Sequence, residues 1–182
     1  MVSEAYIWAI LLLPLVIFAV IGMDIRPFFN RFAGICGTLL IIAMAAALAL
    51  SVMTLQAVIG GEEFHFEGHK WLYVGGASIE FALLVDPLTA LMLVVITGVS
   101  LMVQIYSLGY MKGDPSYARY FAYMALFTAS MLGLVLSANI IVVYAFWELV
   151  GVSSYLLIGF WHERPSAAAA AKKAFLITRI GD

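Results

Sequence analysis

Glu148 stands in Val143-Tyr144-Ala145-Phe146-Trp147-Glu148-Leu149-Val150-Gly151 and is the only charged residue between Ile140 and Trp161. Eight residues into an apolar helix, at about 1.5 Å per residue, it lies roughly 12 Å deep, near the middle of a bilayer. An ionisable group at that depth costs on the order of 3 kcal/mol unless it meets a polar cavity or a partner. Balanced between desolvation and a neighbouring cation, such a carboxyl can bind and release a proton in the physiological range. The chemistry this suggests is proton handling inside the membrane. The competing reading is a neutral glutamic acid that hydrogen-bonds a neighbouring helix.

A second group is Lys172, Lys173, Arg179 and Asp182. Lys172 and Arg179 are seven residues apart and share a helix face. Arg179 and Asp182 are three apart, a spacing that permits an ion pair. Lys173 lies on nearly the same side as Asp182, about two and a half turns before it. A helix that carries several ionisable groups into the membrane is unsuited to face lipid, so a polar interior is expected around Arg179 and Asp182. For Lys172 and Lys173, snorkelling to the interface is an equal alternative.

Other polar residues carry blander readings. Asp86 followed by Pro87 is a helix-start signature, so an N-cap is preferred over a place in a proton path. His65 and His69 are four apart in an extended stretch with no third ligand, which argues against a metal site. His162 fits an ordinary interfacial role. Ser153, Ser154 and Tyr155 could extend a hydrated chain below Glu148, although hydroxyls in membrane helices commonly bond within the helix. The single cysteine, Cys36, excludes an internal disulfide and any cysteine-based zinc or iron–sulfur site. No glycine-rich phosphate loop is present, so neither ATP nor a dinucleotide is expected on this chain.

The elements that must position these groups are transmembrane helices. The 182 residues are 65% hydrophobic and 11% charged, whereas a soluble domain carries roughly 25% charged residues. A net charge of −2 argues against a nucleic-acid partner. Five stretches are long and apolar enough to span: Tyr6 to Met23, Phe32 to Ile59, Phe81 to Met111, Tyr120 to Ser137 and Ile140 to Trp161. A sixth begins near Ala167 and reaches only Asp182, short of a full crossing, so a fragment or a split subunit is expected. Because the first span has no basic lead and no small-residue cleavage site, it reads as a retained span. The fold class is therefore an all-α polytopic membrane bundle. Residues 1–60 hold two spans, 61–80 form an outer loop, and 81–182 hold the third to sixth spans.

Basic residues fall on alternate connections. Arg26 and Arg31, then Lys112 and Arg119, then Arg164 mark one side, while Glu62, Glu63, Glu67 and Glu80 outnumber Lys70 on the other. The positive-inside rule then puts the N-terminus outside. Within 61–80, Glu63 to Glu67 alternates polar and apolar, Gly68 follows, and His69 to Val74 is β-prone before Gly75-Gly76. This predicts a small outer β-hairpin, with Trp71 and Tyr73 at headgroup level.

Several runs also resemble a known family. Asp86-Pro87-Leu88-Thr89-Ala90-Leu91-Met92, Arg119-Tyr120-Phe121-Ala122-Tyr123, Phe146-Trp147-Glu148-Leu149-Val150-Gly151, Ser154 to Trp161, and Ala174 to Asp182 are similar to the antiporter-like subunit L (chain 5) of respiratory complex I, NADH:quinone oxidoreductase. The resemblance covers nearly the whole chain. It implies a fold of roughly fourteen helices with inverted repeats and a role in coupling quinone reduction to proton transport. By it, Glu148 matches the glutamate of the first half-channel, whose lysine partner lies on a later span. Arg179 and Asp182 match an ion pair of the sixth span, and Lys173 a lysine just before it.

The resemblance further implies that this chain holds no cofactor, with FMN, iron–sulfur clusters and quinone on other subunits of the complex. The partner it implies is a neighbouring antiporter-like subunit. The alanine-rich start of the sixth span points to a bacterial plasma membrane over a mitochondrial inner membrane. The large antiporter component of the Mrp-type cation/proton antiporter complex shares the Trp-Glu span, and the membrane component of an inorganic-carbon transporter shares the architecture. The Thr178-Arg179-Ile180-Gly181-Asp182 ending favours complex I.

Overall fold

A run of about 20 apolar residues in lipid has no water to satisfy its backbone, so it must close its hydrogen bonds internally as a helix. The computed structural model describes residues 3–24, 33–62, 64–66, 68–74 and 77–181. Arg26, Arg31, Glu63, Glu67, Gly75-Gly76 and Asp182 lie outside the described residues, as do the side chains of His65, Lys70 and Trp71.

Six helices are described: α1 Glu4–Asp24, α2 Ala33–Ile59, α3 Pro87–Tyr110, α4 Tyr117–Leu136, α5 Ile140–Ile158 and α6 Pro165–Gly181. The first five are each long and apolar enough to cross a membrane. The chain is a multi-pass membrane protein with an all-α helical bundle.

α4 is the centre of the bundle and touches α1, α2, α3 and α5. It can do so because small residues recur along it. Ala118, Ala122, Ala125, Ala129 and Gly133 are spaced three and four apart and let neighbouring backbones approach. At Gly133 the Phe146 ring of α5 occupies the place a β-carbon would take. The core has two levels. Near one end, Ile21, Leu40, Met44 and Phe121 pack together. Near the other, Ile7, Ile10, Leu93 and Leu132 pack under Leu83 and Val85.

The third span starts later than the apolar run suggests. Residues 81–85 are extended, and α3 begins at Pro87 with Asp86 as its N-cap. The Asp86 Oδ1 accepts the Thr89 backbone N–H at 2.6 Å. That bond holds the Asp86 carboxyl below the usual carboxylate range. Hydrophobicity alone could not separate a strand lying on the bundle from the first turn of a helix, whereas the Asp-Pro cap does.

The outer loop also pairs differently from the expectation. Four strands are described: β1 Phe64–His65, β2 His69–Val74, β3 Ala77–Phe81 and β4 Leu84–Val85. The hairpin is β2 with β3, in antiparallel register from His69↔Phe81 to Val74↔Ala77, and not the pairing of Glu63–Glu67 with His69–Val74 across Gly68. β1 pairs with β4 instead. The reason is length. Two residues between β2 and β3 suit a tight hairpin connection, and the alternating Ala77-Ser78-Ile79-Glu80-Phe81 run supplies a longer partner.

The hairpin is fixed to the bundle at α1. Glu4 Oε1 accepts from Trp8 Nε1 at 3.0 Å and lies 3.3 Å from His69 Nε2, while Trp8 stacks on Phe81 at 5.4 Å. At its other edge, the Ala138 N–H donates to Ala82 O at 3.1 Å and ties the end of α4 to the extended segment.

Candidate functional site

α5 and α6 form an antiparallel helical pair joined by residues 159–164. Gly159 and the alanines at the start of α6 make the close approach possible. A β-carbon built on Gly159 would lie 3.1 Å from the Ala171 Cβ. With increasing distance from the connection, Gly159 meets Ala171, the Tyr155 ring lies 5.3 Å from that of Phe175, and Glu148 meets Arg179. On α6 the three partners are spaced four residues apart, which is one face of a helix.

Glu148 is the ninth residue of the 19-residue α5, so it sits at mid-span. Its carboxylate makes an ion pair with the Arg179 guanidinium, and its side chain is 17% exposed. The guanidinium also lies 4.7 Å from the centroid of the Phe175 ring, which supports it on the α5-facing side. A carboxylate at this depth has no stable place facing lipid. Opposite a fixed cation it can stay charged, and if the cation is drawn away it must take a proton or find water. The arrangement sets a mid-span carboxylate against a cation from the next helix.

The sequence-predicted residues divide. Glu148 and Arg179 come together. Asp182, expected to pair with Arg179, lies outside the described residues. Lys173 is exposed and, among the described residues, has no ion pair. Lys172 is exposed and lines a cleft nearer the connection, with His162 and Arg119. Ser153 is fully buried and donates to the Val150 carbonyl at 2.9 Å, so it bonds within its own helix.

Sequence reasoning paired Arg179 by local spacing and missed the contact across the hairpin. The four-residue spacing of Ala171, Phe175 and Arg179 marks one face of α6, but spacing within one helix does not say which span lies against that face.

A second polar feature, unforeseen in the sequence, runs between α3 and α4. Ser100 Oγ lies 2.5 Å from Thr128 Oγ1, Gln104 Nε2 donates to Ser100 Oγ at 3.1 Å, and Ser107 Oγ lies 3.0 Å from the Tyr120 hydroxyl. Thr97, Gln104 and Thr128 are all but fully buried. None of these groups is ionised at neutral pH. The three- and four-residue spacing of Thr97, Ser100, Gln104 and Ser107 was the available sign.

Residues 71–121 match the family described as NADH-Ubiquinone oxidoreductase (complex I), chain 5 N-terminus. Residues 137–182, which include Glu148 and Arg179, match the one described as NADH:quinone oxidoreductase/Mrp antiporter, TM. The chain is 45% identical over 180 residues to the chloroplastic NAD(P)H-quinone oxidoreductase subunit 5 of Zygnema circumcarinatum, an alignment that covers 97% of this chain and 26% of that protein. It is 44% identical over 178 residues to NAD(P)H-quinone oxidoreductase chain 5 of Synechocystis sp., covering 96% of this chain and 26% of the relative. The chain thus spans about a quarter of the length of these curated relatives.

Among solved structures, it is similar to a chain of the membrane-bound sulfane sulfur reductase, an archaeal respiratory membrane complex. The TM-score is 0.78 at 19% identity, with 98% of this chain and 35% of that chain covered. That likeness is one of fold.

Proposed function

We propose that this chain is the N-terminal part of a proton-translocating membrane subunit of an NAD(P)H:quinone oxidoreductase, coupling quinone reduction elsewhere in the complex to proton transfer through a path that includes Glu148. The observation that carries the reading is the mid-span Glu148–Arg179 pair, placed on adjacent helices inside the segment similar to the antiporter family. Glu148 is the proton carrier in this reading. Arg179 sets its charge state, while Lys173, and Asp182, which follows α6 in the sequence, belong to the same proton path. Redox chemistry belongs to other subunits that hold FMN, iron–sulfur clusters and quinone.

The proposed partner in the membrane arm is a neighbouring antiporter-like subunit. The N-terminus and the β2–β3 hairpin lie on the outer face, with Lys112, Arg119 and Arg164 on the cytoplasmic side of a bacterial plasma membrane, following the distribution of basic residues.

The test compares wild-type membranes with Glu148→Gln, following NADH-driven proton uptake and NADH:quinone electron transfer together. A strong fall in proton uptake, with slowed turnover or a reduced proton yield, is expected. Wild-type values of both would remove Glu148 from the path. The second reading is a cation/proton antiporter, favoured by the family description that names Mrp antiporters as well. It predicts sodium-dependent proton exchange without NADH, which the same membranes can report.

A further inference from the structure

At the basic end of the bundle, α4, α5 and α6 enclose a cleft of about 330 Å³. Its polar lining includes Arg119, Lys172 and His162, with Tyr123 and Tyr155, and no carboxylate lines it among the described residues. Arg119 is held in a fixed pose. Its guanidinium lies 5.0 Å from the centroid of the Phe160 ring, and Nη2 donates to the Phe160 carbonyl at 3.2 Å. This leaves the Arg119 Nε–H buried with no acceptor among the described residues.

A buried charged donor without an acceptor is costly, and the planar fork of a guanidinium is shaped for an oxyanion. The place in the fold is that of a lipid headgroup. Arg119 is the third residue of α4, and His162 lies just beyond the end of α5. Leu156 and Ala168 add apolar walls to the cleft. The Lys172 ammonium can reach back toward the interface on its flexible stem.

We propose that this cleft binds the phosphate group of an anionic phospholipid, with Arg119 Nε–H and the Lys172 ammonium as the principal donors. The site is separate from the Glu148–Arg179 pair, since Lys172 and Arg179 are about 10 Å apart along α6. A basic pocket between spans on the positive side of a membrane protein is suited to such a headgroup. A soluble phosphate would gain nothing from the apolar walls.

The test is native mass spectrometry of the protein purified from its own membranes with the subunits that accompany it. It would be titrated with dioleoyl phosphatidylglycerol, dioleoyl phosphatidylcholine or inorganic phosphate. Wild type is expected to retain phosphatidylglycerol in preference to phosphatidylcholine. Lys172→Gln should weaken that retention about fivefold, the worth of one basic residue near a lipid surface. Arg119→Gln should weaken it further but also removes the tie to Phe160, so the exposed Lys172, which has no ion pair among the described residues, is the cleaner probe. Equal phosphatidylglycerol retention by wild type and both variants overturns the site. Saturable binding of inorganic phosphate without lipid preference overturns the lipid assignment.

Discussion

The α3–α4 interface and the α5–α6 interface both place polar groups inside the membrane, yet they solve the problem in opposite ways. Between α3 and α4 the groups are neutral. Thr97, Ser107 and Thr128 each donate to a carbonyl one turn back in their own helix, at 2.7, 2.7 and 2.9 Å. They can therefore be buried before any tertiary contact forms, and cross-helix bonds such as Ser100–Thr128 come as an addition. Between α5 and α6 the groups are charged, and a charge cannot be satisfied by its own helix. Glu148 needs Arg179 from the next span. The difference is one of dependence: the hydroxyl seam tolerates the loss of a member, while the ion pair has two members that fail together.

The largest expected effect follows from that dependence. Arg179→Leu leaves a mid-span carboxylate without a partner and should destabilise the fold by about 3 kcal/mol. The low end of the usual range applies because the Arg179 side chain is 33% exposed. Glu148→Gln combined with Arg179→Leu should recover most of the loss, read as a double-mutant cycle in chemical unfolding of the reconstituted protein. Strict additivity of the two single changes would mean that the pair is not coupled.

Next in size is Gly133→Ala, which sets a methyl group against the Phe146 ring and should cost about 2 kcal/mol by overpacking. Phe146→Leu should rescue it in thermal unfolding. The interface it loosens, α4 against α5, holds the base of the charged hairpin, so a reduced proton yield should accompany the lost stability.

How far these features could be read from the chain depended on the kind of signal. All five spans were legible, since twenty apolar residues in lipid have a single backbone solution. Asp86-Pro87 marked the start of α3 more accurately than the apolar run did, because a cap is a local contact and hydrophobicity is a window average. The mid-span position of Glu148 was legible from the apolar run around it. The identity of its partner was not, because spacing rules describe one helix and Arg179 comes from another. The β2–β3 pairing was missed for a similar reason: Gly68 and Gly75-Gly76 both punctuate the loop, and only the length of the strand on the far side separates them. Local rules worked wherever the contact was local.

Asp86→Ala tests a local rule directly. Loss of the Thr89 bond should cost about 1 kcal/mol. The pH dependence has a definite sign. With its folded pKa lowered, the cap contributes fully above the ordinary carboxylate pKa of about 3.9 and is lost as pH falls through the lowered value. Wild-type stability should therefore fall across the acid range below about pH 4, and the Asp86→Asn variant should lack that component in a pH series of unfolding midpoints.

The smallest effect is the one that most sharpens the comparison. Thr128→Val removes a hydroxyl that meets both Ser100 and the Met124 carbonyl. The shape is kept, and Ser100 still has the Gln104 amide as a donor. Cross-helix hydrogen bonds in membranes average about 0.6 kcal/mol, because the separated helices also find partners. A loss near that value, with proton transport unchanged, fits a seam of independent, self-satisfied groups. A loss as large as that of Arg179→Leu would mean that the hydroxyls act as one connected network in which Gln104 and Thr128 depend on each other as Glu148 and Arg179 do. The two interfaces would then differ in charge but not in cooperativity.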